Sequence, residues 1–131
     1  QPTREVFSFD DGWHGLEDDG RTTWRWSARR AVIRFGPTNR TRELQMRFHV
    51  PVDQYTHPVH VAFLLNGAPL GTIVAKSDND VRYRIPGRSD RVNVLAIEVS
   101  DTFVPASKGG SDDRRELGLM LQSWAFPEVA P

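Results

Sequence analysis

The sequence has no cysteine, no excess of charge of one sign and no long apolar run. None of its 131 residues is cysteine, which excludes disulfides, thiolate chemistry and cysteine-bound metals. Its 17 basic residues are balanced by 17 acidic ones and the arginines are scattered, so nucleic-acid binding is not expected. No apolar run approaches the roughly 18–20 residues that cross a bilayer, and residues 1–4 lack the apolar core of a signal peptide. We expect no membrane insertion and no signal peptide, and the composition is compatible with either the cytoplasmic face of a bacterial membrane or the periplasm.

Catalytic motifs are absent as well. The chain has no G-x-S-x-G elbow, no P-loop and no G-x-G-x-x-G turn, and its four histidines show no H-x-H or H-E-x-x-H spacing. Two carboxylates among Asp18, Asp19 and Glu116 could serve as a glycosidase pair, but the sequence does not fix their separation. The sequence therefore favours a binding module over an enzyme.

Alternation of apolar and polar residues with a period of two runs through most of the chain, while helical periodicity is scarce. Turn residues divide the pattern into about nine strands, and Asn66-Gly67 is a strong hairpin signal. The strands are predicted at residues 6–9, 23–27, 30–35, 44–50, 59–65, 70–75, 81–85, 92–99 and 116–126. The apolar phase slips between Val94 and Leu95, which indicates a bulge or a strand covered on both faces.

This pattern predicts an all-β fold, an antiparallel β-sandwich of jelly-roll type, with an immunoglobulin-like sandwich as the alternative. Residues 1–131 are expected to form one domain, because no linker, repeat or low-complexity tract interrupts them. The abrupt start of the chain suggests that the domain was excised from a larger protein.

Three of the four tryptophans, Trp13, Trp24 and Trp26, lie close together in the sequence. Trp24 and Trp26 are two apart in a predicted strand, so they share a face and would form a flat platform for a sugar ring if that face were exposed. Large aromatics at period two are usually core, and we expect at least one of the pair to be buried. Trp13 lies between two glycines on a loop and is the stronger candidate for a platform, a structural corner being the alternative. Trp124 is expected in the core or against a neighbouring domain.

Carboxylates surround the Trp13 loop. Oxygen ligands suit Ca²⁺, which makes Asp10, Asp11 and Asp18 weak calcium candidates. Their spacing does not match an EF-hand loop, and Asp-Asp-Gly is good turn chemistry, so solvated turns are the preferred interpretation and no cofactor is required.

A second charged segment, residues 112–116, precedes the last apolar run. The guanidinium of Arg115 could bind a carboxylate or a pair of sugar hydroxyls. The interpretation that we favour is an ion pair within the domain, which pins the long loop of residues 101–113 to the edge of the sandwich.

Five motifs follow one another along the chain: G-W-x-x-L-E at 12–17, W-R-W at 24–26, V-x-x-L-L-N-G-x-x-L-G at 61–71, D-T-F-V-P-A at 101–106 and D-R-R-E-L-G at 113–118. In this order they resemble the jelly-roll, galactose-binding-like accessory domains of bacterial glycosyltransferases and other proteins that build surface polysaccharides. The resemblance covers about residues 5–126, and its most distinctive parts are F-V-P and R-E-L-G. It implies association with glycans, and it assigns no binding residue.

We therefore predict a non-catalytic carbohydrate-binding module that assists a glycan-building or glycan-processing enzyme, with a glycan and a catalytic domain as partners. Indoles would stack on the sugar, and charged groups would orient its hydroxyls. The predicted contacts are Trp13, His14, Asp19, Trp24, Trp26, Arg115 and Glu116. The alternative is a structural or docking domain that contacts proteins through a sheet face, with buried tryptophans and no groove.

Overall fold

A computed structural model describes residues 7–37, 39–88 and 90–130. Its strands are β1 (Phe7–Phe9), β2 (Glu17–Asp18), β3 (Thr23–Trp26), β4 (Arg30–Phe35), β5 (Arg42–His49), β6 (His60–Leu65), β7 (Ala68–Val74), β8 (Asp78–Ile85), β9 (Asn93–Val99) and β10 (Met120–Ala125). Two short 3-10 helices, Val52–Gln54 and Pro105–Lys108, lie in connections. Within the described ranges, no helix has the length and apolarity needed to cross a membrane. Val6, the predicted start of the first strand, lies outside the described residues.

The strands form two five-stranded antiparallel sheets. The first sheet has the order β1-β4-β9-β6-β7, and the second has the order β2-β3-β10-β5-β8. The predicted antiparallel β-sandwich is confirmed. The structure adds β2, which the sequence assigned to a carboxylate-rich turn and which pairs with β3 through Glu17 and Trp24.

Apolar side chains from the inner faces of both sheets form the core. On β5 the alternation is as predicted: Leu44, Met46 and Phe48 are buried, while Arg47 on the opposite face is exposed. Burial of a side chain such as Phe48 contributes about 1.5–3 kcal/mol to folding. The largest fully buried side chains are those of Phe35, Phe48, Phe63, Ile85, Leu95, Ile97 and Leu119.

The phase slip in β9 reflects a strand that is covered on both faces. β9 keeps a regular register with β4 and β6, and its consecutive residues Leu95, Ala96 and Ile97 are all buried. Bulges occur elsewhere, between Phe63 and Leu64 of β6 and between Leu121 and Ser123 of β10.

The predicted Asn66-Gly67 hairpin is confirmed as the two-residue turn between β6 and β7. Both residues have positive φ, 51° and 84°, as a type I′ turn requires. The Asn66 side chain also bridges to β9, since its Nδ2 donates to Asn93 Oδ1 at 3.1 Å and its Oδ1 accepts from the Val94 amide at 2.8 Å.

Candidate functional site

Trp24 and Trp26 lie on the outer face of the second sheet. Arg25 between them pairs with Leu121, and Leu121 also pairs with the buried Phe48. Arg25 therefore points inward and both indoles point outward, because successive side chains of a strand alternate between faces. The expectation that one of the two tryptophans belongs to the core is wrong. Both are half-buried.

The long loop covers part of this outer face. Phe103 packs edge-on against Trp26 with ring centroids 5.9 Å apart, and Phe103 is held in turn by a bridge to Leu117. Trp26 is therefore partly covered by its own chain, whereas Trp24 borders the open part of the face.

Trp13 forms a structural corner. Its indole Nε1 donates to the carbonyl of Val32 at 3.1 Å, and its ring packs edge-on against Phe9 at 5.2 Å. Its backbone forms a bridge to the buried Ser27. Because the indole N–H is already bonded and the ring packs against the core, the geometry favours the corner over the platform at this position.

Arg115 fastens the long loop to the second sheet. Its guanidinium binds Asp113 through two bonds, Nε to Oδ1 at 3.0 Å and Nη2 to Oδ2 at 2.7 Å, and its Nη1 donates to Glu17 Oε2 at 3.0 Å. The hydrogen bonds from Arg115 lower the pKa of Asp113 to about 2, and Asp113 in turn raises the pKa of Arg115. The predicted role of this arginine in pinning the loop is confirmed.

The other predicted polar contacts also serve the fold. His14 Nε2 donates to the backbone carbonyl of Glu116 at 2.8 Å, while the Glu116 side chain is exposed. Asp19 Oδ1 accepts the amides of Arg21 and Thr22 at 2.9 and 2.8 Å, and these bonds lower the pKa of Asp19. A general acid of a glycosidase needs a raised pKa, so the direction of this shift does not support that role.

The calcium candidates are dispersed. Asp10 pairs with Arg34 at 2.5 Å and accepts a hydrogen bond from Ser8, while Asp11 and Asp18 are exposed. Nowhere in residues 7–37, 39–88 and 90–130 do three or more His, Asp or Glu side chains group as a metal site would require. The geometry of these residues gives calcium no support.

A cleft opens where β3 and β10 separate. The two strands pair only at Trp26–Met120 and Arg25–Leu121, and β10 then bulges before Ser123. The gap, which we call the β3–β10 cleft, has a volume of about 330 Å³. It is lined by Phe9, Leu16, Thr23, Trp24, Arg25, Leu121, Gln122, Ser123 and Trp124.

Two indoles belong to opposite sides of this cleft, Trp24 on β3 and Trp124 on β10. Trp124 packs against Phe7 at 4.4 Å and keeps 38% of its surface exposed. Leu16, on the same lining, is 62% exposed. Two aromatic rings and an exposed leucine therefore form an apolar patch at the cleft. Exposed apolar patches of this kind are typical of binding surfaces.

A second depression adjoins the cleft on the outer face, with a volume of about 320 Å³. Trp24, Gln122 and Ser123 line both cavities, and Arg47 lines the depression. The arrangement combines a ring for stacking with amide, hydroxyl and guanidinium groups for hydrogen bonding.

The sequence did not point to Gln122, Ser123 and Trp124 as site residues. A signal was present, because the polar pair Gln122-Ser123 interrupts the apolar run of the last strand. The sequence did not reveal that β3 is the neighbour of β10, or that the two strands pair through only two residues each. Both facts depend on contacts between chain segments about a hundred residues apart.

No protein-family model and no curated protein matches the sequence. Among solved structures, a family 35 carbohydrate-binding module from an environmental isolate matches with a TM-score of 0.54 at 11% identity, over 96% of this chain and 94% of the module. A family GH115 4-O-methyl-α-glucuronidase with specificity for decorated arabinogalactans matches with a TM-score of 0.50 at 14% identity, over 82% of this chain. The match spans only 14% of that enzyme's length. At these identities the likeness concerns the fold alone.

Proposed function

We propose that the protein is a non-catalytic carbohydrate-binding module whose site is the β3–β10 cleft and the adjoining outer depression. The observation that carries this proposal is the placement of Trp24 and Trp124 on the two sides of an open cleft, with Gln122 and Ser123 between them on β10. Indole faces stack on the apolar side of a pyranose ring, and amide and hydroxyl groups bind its hydroxyls. The cleft volume lies in the usual range for small-molecule sites.

The fold neighbours support the same class of function. One is itself a carbohydrate-binding module, and the other is an enzyme that acts on a decorated polysaccharide. The association with glycosyltransferases rests on the sequence motifs alone. A module tethered to a catalytic domain raises the local concentration of glycan at the enzyme, so even weak intrinsic affinity is useful.

Of the contacts predicted from the sequence, Trp24 is retained as the principal stacking residue and Trp26 as a flanking one. Trp13, His14, Asp19, Arg115 and Glu116 are assigned to the frame that holds β2, β3 and the long loop in place.

The proposal is tested by titrating the protein with fragments of xylan, arabinogalactan, β-glucan and mannan while following tryptophan fluorescence. Trp24→Ala and Trp124→Ala are each expected to weaken binding about tenfold or more, because each removes a stacking face. Val74→Ala, at a 60% exposed position of the first sheet, is the matched control and should bind as the parent does. Absence of saturable binding to all four glycans, or unchanged affinity in both tryptophan variants, would refute the proposal.

A docking role is the second candidate, and one surface favours it. The outer face of the first sheet carries a depression of about 450 Å³ that contains Ala62 and His60 and is flanked by the Arg30–Glu98 ion pair. The exposed Val74 lies opposite His60 on the neighbouring strand. If this face makes a stable contact between copies, sedimentation should show a dimer that Val74→Asp converts to a monomer, with glycan binding unaffected.

A further inference from the structure

Arg25 is an unusual residue in the floor of the β3–β10 cleft. It occupies an inward position of β3, is half-buried and lines the cleft together with Phe9 and Trp124. Its guanidinium carbon lies 4.0 Å from the centroid of the Phe9 ring, which is a cation–π distance. Burial lowers the pKa of Arg25, which is the sign of a guanidinium that has lost part of its water.

Each of the other half-buried arginines that the structure describes pairs with a carboxylate. Arg42 pairs with Glu128, Arg88 with Asp90, and Arg115 with Asp113 and Glu17. In the part of the chain that the structure describes, Arg25 has neither an ion pair nor a side-chain hydrogen bond, and its interaction with Phe9 is the one that remains. A partly desolvated cation without an anion is costly, and a cation–π contact offsets only part of that cost.

Stacking on Phe9 uses one face of the planar guanidinium and leaves its N–H groups, which lie in the plane, able to donate. An arginine presents these donors as a fork that matches a carboxylate. The surrounding cleft is small and is flanked by two indoles, so the carboxylate that fits must be carried by a compact ring that can lie against an aromatic face.

We propose that the β3–β10 cleft selects acidic sugars, with Arg25 binding the carboxylate of a uronic acid while Trp24 or Trp124 stacks on its ring. This inference rests on the proposed carbohydrate function and names its ligand class. The carboxylate forms a hydrogen-bonded ion pair with Arg25, and Gln122 and Ser123 on the same lining bind the ring hydroxyls. Binding therefore supplies the partner that the folded chain does not.

The test compares the methyl glycosides of glucuronic and galacturonic acid with those of glucose and galactose, by calorimetry or tryptophan fluorescence at neutral pH. The uronates are expected to bind roughly tenfold or more tightly than the neutral sugars, as a charge-assisted hydrogen-bonded pair would give. The preference should shrink as salt is raised. Arg25→Met replaces the guanidinium with an uncharged, unbranched side chain, so it should abolish the preference of the cleft for uronates over neutral sugars. Arg91→Met, at an exposed position outside the cleft, is the control and should keep the preference.

The outcomes separate this inference from the proposed function. If acidic and neutral sugars bind equally and Trp24→Ala weakens both, the carbohydrate function stands and the role of Arg25 is refuted. A preference that persists in Arg25→Met refutes it as well. If acetate competes as well as glucuronate does, the site is a simple anion site and the acidic-sugar assignment fails. If no sugar binds at all, both proposals fail together.

Discussion

At Gly12 the backbone of the Trp13 corner passes directly against the backbone of β4. Gly12 has φ of +86°, and a Cβ built there would lie 1.8 Å from the Arg30 carbonyl oxygen. Gly12→Ala therefore combines an unfavourable backbone conformation with a clash against main-chain atoms that cannot rotate away. We expect a loss of at least about 3 kcal/mol in the free energy of unfolding, measured by urea denaturation.

Gly15 provides the matched control, three residues away on the same loop. A Cβ there would meet nothing within 4 Å, and its φ is outside the left-handed region. Gly15→Ala is expected to change the free energy of unfolding by no more than about 0.5 kcal/mol. Equal stability of the two variants would contradict the close approach at Gly12.

Trp13→Phe separates the structural role of this residue from a ligand contact. The substitution removes the hydrogen bond from Nε1 to Val32 and part of the packing against Phe9. We expect unfolding to require about 2 kcal/mol less free energy, with glycan affinity unchanged at temperatures where the variant is folded. Weaker sugar binding with unaltered stability would instead make Trp13 part of the site.

The tripeptide Trp24-Arg25-Trp26 shows where reasoning from sequence reaches its limit. Alternation correctly predicts that the two tryptophans share a face, but it does not say which face that is. General preference places tryptophan inside and arginine outside. Here the opposite holds, because the Arg25 guanidinium lies over the ring of Phe9, which belongs to the other sheet. That contact joins two strands that the sequence cannot pair.

The long loop behaves as one element because the ion pairs of Arg115 hold it to β2. Asp113 has its pKa lowered from the ordinary 3.8 to about 2 in the folded state, first by its hydrogen bonds with Arg115. A group with a lowered folded-state pKa stabilises the fold above its unfolded pKa, and that stabilisation disappears as pH falls through the folded value. The contribution of Asp113 should therefore be complete above about pH 4 and lost towards pH 2.

Asp113→Asn tests this dependence, because it removes the titrating group. Its melting temperature is expected to lie below that of the parent at neutral pH, with the gap closing between about pH 4 and pH 2 in thermal scans followed by circular dichroism. Asp112→Asn, which alters an exposed neighbouring carboxylate, should follow the parent throughout. A gap that stays constant down to pH 2 would show that the aspartate acts by shape and not by charge.

Strands long enough to show an apolar pattern were predictable from the sequence, whereas the two-residue strand β2 was not. β5 has buried residues at every second position, and its existence follows from the sequence. β2 has only two residues, Glu17 and Asp18, and exists because β3 offers it an edge to pair with. The cleft could not be predicted for the same reason. The number of residues through which β3 pairs with β10 is set by contacts between distant parts of the chain, which leave no local sequence pattern.

In the molecule as a whole, the fold depends on the pattern of apolar residues, whereas the proposed site depends on particular side chains. The family 35 module shares the fold at 11% identity, so an alternating pattern and a core of the right volume suffice to specify it. Sites are placed on such a scaffold independently of the fold. In this chain the proposed site lies where β3 and β10 of the second sheet separate, beside the outward-pointing Trp24, the partly exposed Trp124 and the inward-pointing Arg25.

The proposed carbohydrate site gains most when it is tethered to a second contact, and tethering can be tested with the domain itself. Two copies joined by a flexible Gly/Ser linker that spans the distance between sites should bind a soluble polysaccharide roughly a hundredfold more tightly than one copy does, because the second contact becomes intramolecular. A monosaccharide glycoside can occupy only one cleft, so its affinity per site should be the same for the single and tandem forms. Trp24→Ala in one copy only should return polysaccharide affinity to that of the single domain. Equal enhancement for the monosaccharide would show that the linked copies create a new surface between them, and the tethering role would then be rejected.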